Sequence, residues 1–548
     1  MSGIDWIILA VTLCSIILYG IYKSRTTENL EGYFLSNRGM PWYIVLLSIM
    51  GTQASAITFL SAPGQAYTDG MRFVQYYFGL PLAMIIICIV FVPIFRKLKV
   101  FTAYEFLEER FDVKTRTFTS FLFQLSRGLS TGISIYAPSL ILSSLLGWNI
   151  YWTNIIMGGL LIIYTVSGGA RAVAHTQKLQ LMIIIAGMVA AGYMVVHLLP
   201  ANVGFAEALR IGGKSGKMNV ITTGMTDKGF DWKDRYNIWS GLIGGLFLAL
   251  SYFGTDQSQV GRYLTAKDNK ESKLGLLING LVKVPMQFLI LMIGVLVFSF
   301  YQYNKAPIYF NDLQATSAKA TVKKDSLIYL ETQYALVAPA NDVEKTAIRK
   351  QYKEVLKRAL PLEDVNDTNY IFLRFVVDYL PKGLIGLLIA VIFLAAWGSI
   401  AAALNALASC TVVDIHKKFI NKNLTPKMDY RISKLYTLAW GIFSIVVAES
   451  ASNLGNSLIE TVNILGSLFY GVILGIFMVA FWLKQIKGHA VFYAALISEL
   501  LVILVYKADI ISFLWLNVIG ALLVIFLSGI FQVVFKLGNY NKIKTPSR

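Results

Sequence analysis

The segment from Leu46 to Leu60, LLSIMGTQASAITFL, constrains the fold more than any other stretch of the chain. Apolar residues flank a centre of Gly51, Thr52, Gln53, Ala54 and Ser55, inside a run long enough to cross a bilayer. A plain membrane anchor has no use for small and hydroxyl residues at its midpoint. Small residues let another helix approach closely, and hydroxyls and freed carbonyls can hold a ligand. A broken helix survives at membrane depth only where it is buried in protein or lines a cavity. The segment therefore predicts a discontinuous helix beside a solute pathway.

Composition agrees. Of the 548 residues, 56% are hydrophobic and 15% charged, which is more apolar surface than a soluble domain can bury. The net charge of +18 is of the kind that suggests a nucleic-acid partner, but its distribution argues otherwise. Basic residues cluster in alternate loops: Arg96, Lys97 and Lys99 with Arg110, Lys114 and Arg116; Arg262 with Lys267, Lys270 and Lys273; Lys417, Lys418, Lys422, Lys427, Arg431 and Lys434. Lys484 and Lys487 follow, then Lys536, Lys542, Lys544 and Arg548. This is the positive-inside pattern, which reports orientation in a bilayer.

Cys14, Cys88 and Cys410 lie in apolar segments without paired spacing, so no disulfide or metal site is expected. His175, His197, His416 and His489 are scattered over different spans, and no nucleophile–base set stands out. An enzyme is not expected, and no cofactor. The first apolar run, residues 4–22, lacks a basic leader and opens with Asp5, so it reads as a spanning helix rather than a signal peptide.

Thirteen spans are expected: 4–22, 42–66, 71–95, 117–146, 150–167, 172–199, 236–264, 273–303, 373–416, 432–450, 456–483, 489–506 and 511–535. This count puts the N-terminus outside, the C-terminus in the cytoplasm and every basic cluster inside, at a plasma or inner membrane. The expected organisation is an N-terminal extra helix and loop (1–40), a first repeat (41–199), an external loop (200–235), a second repeat (236–484), and C-terminal extra helices and tail (485–548). A polar insertion, 304–371, interrupts the second repeat. Within it Ile348, Tyr352, Val355 and Leu356 share one face of an amphipathic helix, which reads as a small cap over the loops. Spans two to six and seven to eleven make two groups of five. Each opens with a weak-centred span, Gly51-Thr52-Gln53 in one and Gly254-Thr255-Asp256 in the other. An odd number of helices per group forces opposite orientations, the inverted-repeat design.

Several stretches resemble the solute:sodium symporter family: Glu31-Gly32-Tyr33-Phe34-Leu35 before Pro41-Trp42, Ala103-Tyr104-Glu105-Phe106-Leu107-Glu108-Glu109-Arg110-Phe111, residues 164–173 (YTVSGGARAV), Ala401-Ala402-Ala403-Leu404-Asn405, and Asp414-Ile415. The similarity is greatest to the bacterial sialic-acid symporter branch. It implies an all-α membrane protein with a five-plus-five inverted-repeat core, extra helices at both ends, and alternating access driven by sodium. The main sodium site, carried over, falls on Gly51 and Ala54 of the first core helix and on Ala395, Gly398 and Ser399 of the eighth. Unwound backbone is a source of hard oxygen ligands for a small cation. The chain departs from the pattern where relatives have two adjacent hydroxyl residues, since here they are Gly398-Ser399. Where some relatives place an aspartate for a second sodium it has Gln177, and the accompanying serines are Ala401 and Ala402. A second sodium site is not expected.

The resemblance also implies a pocket made by Gln53, Ser55, Thr58, Phe73, Tyr77 and Arg127, with Tyr252 as an inner aromatic lid. Arg127 occupies the place where sialic-acid carriers grip the substrate carboxylate, and a permanently charged fork suits that task; the bland alternative is pairing with backbone carbonyls. Lys178, beside Gln177, is either a snorkelling residue or a stand-in for the cation. Lys283 matches a lysine that contacts substrate in sugar-carrying relatives, or it pairs with a helix terminus. Glu460 reads as a wet vestibule residue. The polar pocket positions of galactose carriers fall here on Thr58, Tyr77, Ala249 and Val462, a poor match. The resulting expectation is secondary active uptake of a small organic anion such as a sialic acid, with sodium as coupling ion. A sodium-independent or proton-coupled carrier using Lys178, or a neutral-sugar carrier, stands as the alternative.

Overall fold

The structure is a computed structural model that describes residues 1–24, 30–338, 341–361, 363–423, 425–453 and 457–544. It is helical throughout except for one small hairpin, Met225–Thr226 with Gly229–Phe230. Of the expected basic residues, Arg548 lies outside the described residues, as do the side chains of Lys542 and Lys544.

The two weak-centred spans are both broken. The first runs as Trp42–Gln53 and Ala56–Asp69, bent by 59° between them. Counted as the first core helix, it has its counterpart in the sixth, where Ser240–Gly254 stops and Gln257–Leu264 resumes. Thr255 and Asp256 make that break, and Asp256 caps the second piece by accepting from the Ser258 N–H at 2.8 Å. The start of the first broken helix meets the end of the sixth: Met40 N–H bonds to Thr265 O at 3.0 Å and Lys267 N–H to Met40 O at 2.9 Å. Two groups of five, each opening with a broken helix and facing opposite ways, are thus present as expected.

Among the described residues, eleven helices are long and apolar enough to cross a membrane when the bent pair is counted as one, and Ile150–Ile163 and Ser240–Gly254 are shorter apolar helices. The expected spans 150–167 and 172–199 prove to be one helix, Ile150–His197, of 48 residues. Straight, it would be about 72 Å long, more than twice the hydrocarbon thickness. Asn154 instead bonds to Glu449 at the end of Pro426–Glu449 (3.3 Å), and Gly187 packs on Leu388 near the start of Leu384–Cys410. Both ends therefore reach one face, so the chain turns back on itself between them. The side chains of Tyr164, Ser167, Gly168, Gly169, Arg171 and Ala172, part of the family-like stretch, lie outside the described residues.

The expected span 373–416 is also redrawn. Ile371–Tyr379 is a separate short helix, and the eighth core helix starts at Leu384. Gly383 adopts φ +92°, a left-handed conformation that glycine takes without strain. Its N–H and that of Gly386 donate to Asp5 Oδ1 at 2.6 and 3.3 Å, so the N-terminal extra helix caps the eighth. Close approach relies on absent side chains elsewhere: a Cβ on Gly294 of the seventh core helix would lie 2.1 Å from Pro63 O.

The insertion forms three helices, Asp312–Lys319, Lys324–Leu336 and Asp342–Ala359, around its own apolar cluster. Tyr352 and Leu356 are fully buried there, with Ile348 and Val355 against them, as the helical pattern predicts. Asp367 fastens this cap to the chain, accepting from Phe310 N–H at 2.9 Å, Arg349 at 3.1 Å and Lys353 at 2.5 Å. Burial raises the affinity of its carboxyl for a proton, but Lys353 and Arg349 more than offset that and hold it below the usual carboxylate range. The 200–235 segment adds the helix Phe205–Lys214, whose Ala208 carbonyl accepts from Ser299 Oγ at 2.6 Å.

At the opposite, basic face the family-like stretches converge. Arg116 bonds to Asp414 at 2.5 Å and to Glu108 at 2.6 Å, while Lys418 reaches Glu108 at 2.7 Å and Thr102 donates to Asp414 at 2.8 Å. Tyr104 Oη donates to Thr255 O at 2.8 Å, tying this cluster to the break in the sixth core helix.

Candidate functional site

A cavity of about 150 Å³ lies between the two helix breaks. Among its lining residues are Gln53, Ser55, Thr58, Tyr77, Arg127, Tyr252, Lys283 and Ser399, so most of the expected pocket converges, with side chains from six core helices. Phe73 does not reach it. That ring is fully buried behind the wall, stacked on Tyr76 at 5.6 Å and edge-on to Tyr236 at 5.0 Å. Tyr76 takes the place expected for Phe73, lining the cavity and donating to Asn463 Oδ1 at 3.1 Å. Glu460, expected in a wet vestibule, is buried and paired, with Arg235 at 2.8 Å and Tyr236 Oη at 3.0 Å.

The break in the first core helix frees backbone oxygens in a specific way. Ser55 N–H bonds to Gln53 O at 2.9 Å rather than to Gly51 O, and Thr58 N–H bonds to Ser55 O at 3.0 Å rather than to Ala54 O. The carbonyls of Gly51 and Ala54 are thereby released from the helical ladder. Across from them, Ser399 Oγ donates to Ala395 O and Ala396 O, both at 3.0 Å. Two freed carbonyls, the Ala395 carbonyl and a hydroxyl are oxygen donors of the kind a small hard cation takes. No cluster of three acidic, His or Cys side chains that could hold a metal occurs among the described residues.

Gly398 behaves differently. Its carbonyl accepts from the Gln177 amide at 2.9 Å. The same amide nitrogen donates to Thr52 Oγ1 at 3.1 Å, and Gln177 Oε1 accepts from Ser48 Oγ at 2.7 Å. Gln177 is fully buried and bridges the first and eighth core helices, with Gly51 against its Cβ. An amide N–H₂ group thus stands where two helices would otherwise share a cation. Ala401 and Ala402 are buried against Val173 and supply no side-chain oxygen. Lys178 points elsewhere: half-buried, its Nζ lies 5.7 Å from the centroid of the Tyr43 ring.

Arg127 has an acidic partner that sequence inspection missed. Its Nη2 bonds to Asp256 Oδ2 and, at 2.7 Å, to Tyr470 Oη, which itself donates to Asp256 at 2.7 Å. The guanidinium lies 5.4 Å from the Tyr252 ring centroid. Asp256 belongs to the weak centre noted in the sequence, but nothing local says which side chain it meets. Ser130, Thr131 and Ser134, also in the lining, sit one and two turns beyond Arg127 on the same helix. Helical spacing alone would have found them.

The sequence profile of the sodium:solute symporter family matches residues 33–338 and 351–498. The sodium/sialic acid symporter SiaT of Proteus mirabilis is 26% identical over 97% of this chain and 95% of its own length. The sodium/sialic acid symporter NanT of Aliivibrio fischeri is 26% identical over 97% and 94%; the sodium/glucose cotransporter of Vibrio parahaemolyticus is 23% identical over 90% and 83%. A solved structure of a Na⁺-coupled sialic acid symporter, substrate-bound and outward-open, superposes with a TM-score of 0.78 at 25% identity, covering 97% of this chain and 98% of that one. With a profile match over most of its length and the paired broken helices in place, this chain belongs to the sodium:solute symporter family.

Proposed function

We propose that the protein carries a sialic acid or a related sugar acid inward by alternating access, coupled to one sodium ion. The observation that carries the anion reading is the charge of the cavity. Among the described lining and wall residues, two basic side chains, Arg127 and Lys283, accompany one carboxylate, Asp256, which is paired with Arg127. An excess positive charge at membrane depth is costly, and an anionic solute relieves it. The two relatives named for sialic acid support the same class.

Sodium is supported by the freed carbonyls of Gly51 and Ala54 facing Ser399 and Ala395. One ion rather than two is supported by Gln177, Ala401 and Ala402, which offer no carboxylate or hydroxyl for a second site. The positive-inside rule makes the basic face cytoplasmic, the cap external, and places both the cap and Asp5 outside. A neutral hexose is disfavoured because Ala249 and Val462, polar in galactose carriers, line the cavity with apolar side chains. Uptake of radiolabelled sialic acid into proteoliposomes, with and without an inward sodium gradient, tests this reading. Accumulation that follows the gradient is expected; no uptake, or uptake indifferent to sodium, removes it.

A further inference from the structure

A second cavity, of about 450 Å³, shares no lining residue with the solute cavity. Its walls are the outer parts of the fifth core helix, Val173–His197, and of the seventh, Asn269–Phe300. Phe59, on the second piece of the first broken helix, is buried and also lines it. Among the described residues of the lining, the only hydroxyl, amide or charged side-chain group is Tyr193 Oη. Val189 and Leu289, one from each wall, are 68% and 54% exposed, so this flank faces the bilayer. A buried water needs about two to four polar partners, and one hydroxyl does not supply them. Left empty, the groove would forfeit dispersion contacts along both walls. Its occupant must therefore be apolar.

The external helix Phe205–Lys214 lies across the outer end of the seventh core helix, with Ser299 Oγ donating to Ala208 O at 2.6 Å and Gly212 packed on Val295. Its first residue, Phe205, lines the groove. At helical spacing Phe205 and Leu209 share one face, while Glu207, Arg210 and Lys214 fall on the other. Glu207 pairs with Arg210 at 2.7 Å, so the polar face keeps one net positive charge. An apolar edge at the groove beneath a cationic edge is the pattern of a helix lying at the headgroup level. A phosphate carries the complementary charge.

We infer that this groove binds an acyl chain of an outer-leaflet phospholipid, whose phosphate lies at the level of Arg210 and Lys214. Phe59 and the fifth core helix belong to the first repeat and the seventh to the second, so the chain fills a seam between the repeats. Gly192 keeps the groove open. A Cβ there would meet only Ile293, at 3.5 and 3.8 Å, which is ordinary contact, so a larger side chain can enter the groove without displacing backbone.

The test places the full chain in phospholipid nanodiscs holding a trace of phosphatidylglycerol with a photoreactive diazirine in one acyl chain. Labelling of residues 184–196 and 286–296 is compared with that of residues 522–534 in the last helix, where Leu522, Phe526 and Val533 are exposed. Labelling at the groove is expected to exceed that reference severalfold in the parent and to fall to it in Gly192→Phe. Equal labelling in the parent means annular lipid only and overturns the inference, as does an excess that Gly192→Phe leaves unchanged. Should Gly192→Phe fail to fold, Val189→Trp takes its place: a reduced excess supports the site, and an unchanged one overturns it. A diacylglycerol probe with the same chain, lacking the phosphate, is expected to label the groove less, and equal labelling overturns the phosphate placement.

Discussion

The guanidinium of Arg127 and the carboxylate of Asp256 form a buried ion pair that joins the third core helix to the break of the sixth. Asp256 is fully buried and the Arg127 side chain 13% exposed. Removing one partner strands the other charge, at a cost of about 3–5 kcal/mol, whereas replacing both with apolar residues is often nearly neutral. Asp256→Asn is therefore expected to lower the thermal midpoint of the detergent-solubilised protein sharply. Arg127→Met combined with Asp256→Leu should recover much of that loss. A double variant no better than the single one would show that the pair is not the source of the effect.

Gln177 bears on ion stoichiometry. It carries an amide and no carboxylate, and Ala401 and Ala402 supply no side-chain oxygen, so transport by the parent should couple one sodium per solute. Reversal-potential measurements in proteoliposomes check this, and two or more ions per solute would contradict it. Gln177→Ala removes three hydrogen bonds of roughly 1 kcal/mol each and should lower stability as well.

The Ser399 hydroxyl and the Lys178 ammonium make opposite predictions. Ser399→Ala removes an oxygen donor beside the freed carbonyls, and the sodium concentration giving half-maximal uptake should rise by about tenfold, the scale of one ligand interaction. Lys178→Ala should leave sodium-stimulated uptake intact, because the side chain lies over Tyr43 and makes no hydrogen bond to the cation-site oxygens. Sodium-indifferent uptake that vanishes in Lys178→Ala would reverse the assignment.

The cap should respond to acid through Asp367. Its carboxyl is held below the usual range in the folded protein, with burial opposing and Lys353 and Arg349 prevailing. A depressed native pKa contributes stability that is complete above the unfolded value and is lost as pH falls through the folded one. Hydrogen exchange in Asp342–Ala359 should thus show protection that is steady near neutrality and declines below about pH 4. Asp367→Asn should be less protected at neutral pH and lack that acid-dependent decline.

Much of the architecture was legible in order along the chain. Hydropathy marked the spans, and Gly51-Thr52-Gln53 and Gly254-Thr255-Asp256 marked both breaks. Spacing marked the cap helix face through Tyr352 and Leu356, because burial depth and helix breaking are set by residues close in sequence. Boundaries governed by distant partners were not legible: Asp5 caps the eighth core helix hundreds of residues away, which is why the span begins at Leu384 and not 373.

The same division runs through the site. Sequence alone determined which side chains are too polar for their depth, namely Gln53, Arg127, Gln177, Lys178 and Lys283, since an ionisable or amide group in an apolar run is conspicuous wherever the helix ends up. Only the tertiary structure decided what each one meets. Arg127 found Asp256, Gln177 found Gly398, Lys178 turned to Tyr43 and Lys283 was left facing the cavity without a counter-ion. Phe73 withdrew behind Tyr76 for the same reason. A local run of residues sets how deep a side chain lies and which way its helix is exposed, but its partner comes from a helix far away in sequence, chosen by packing.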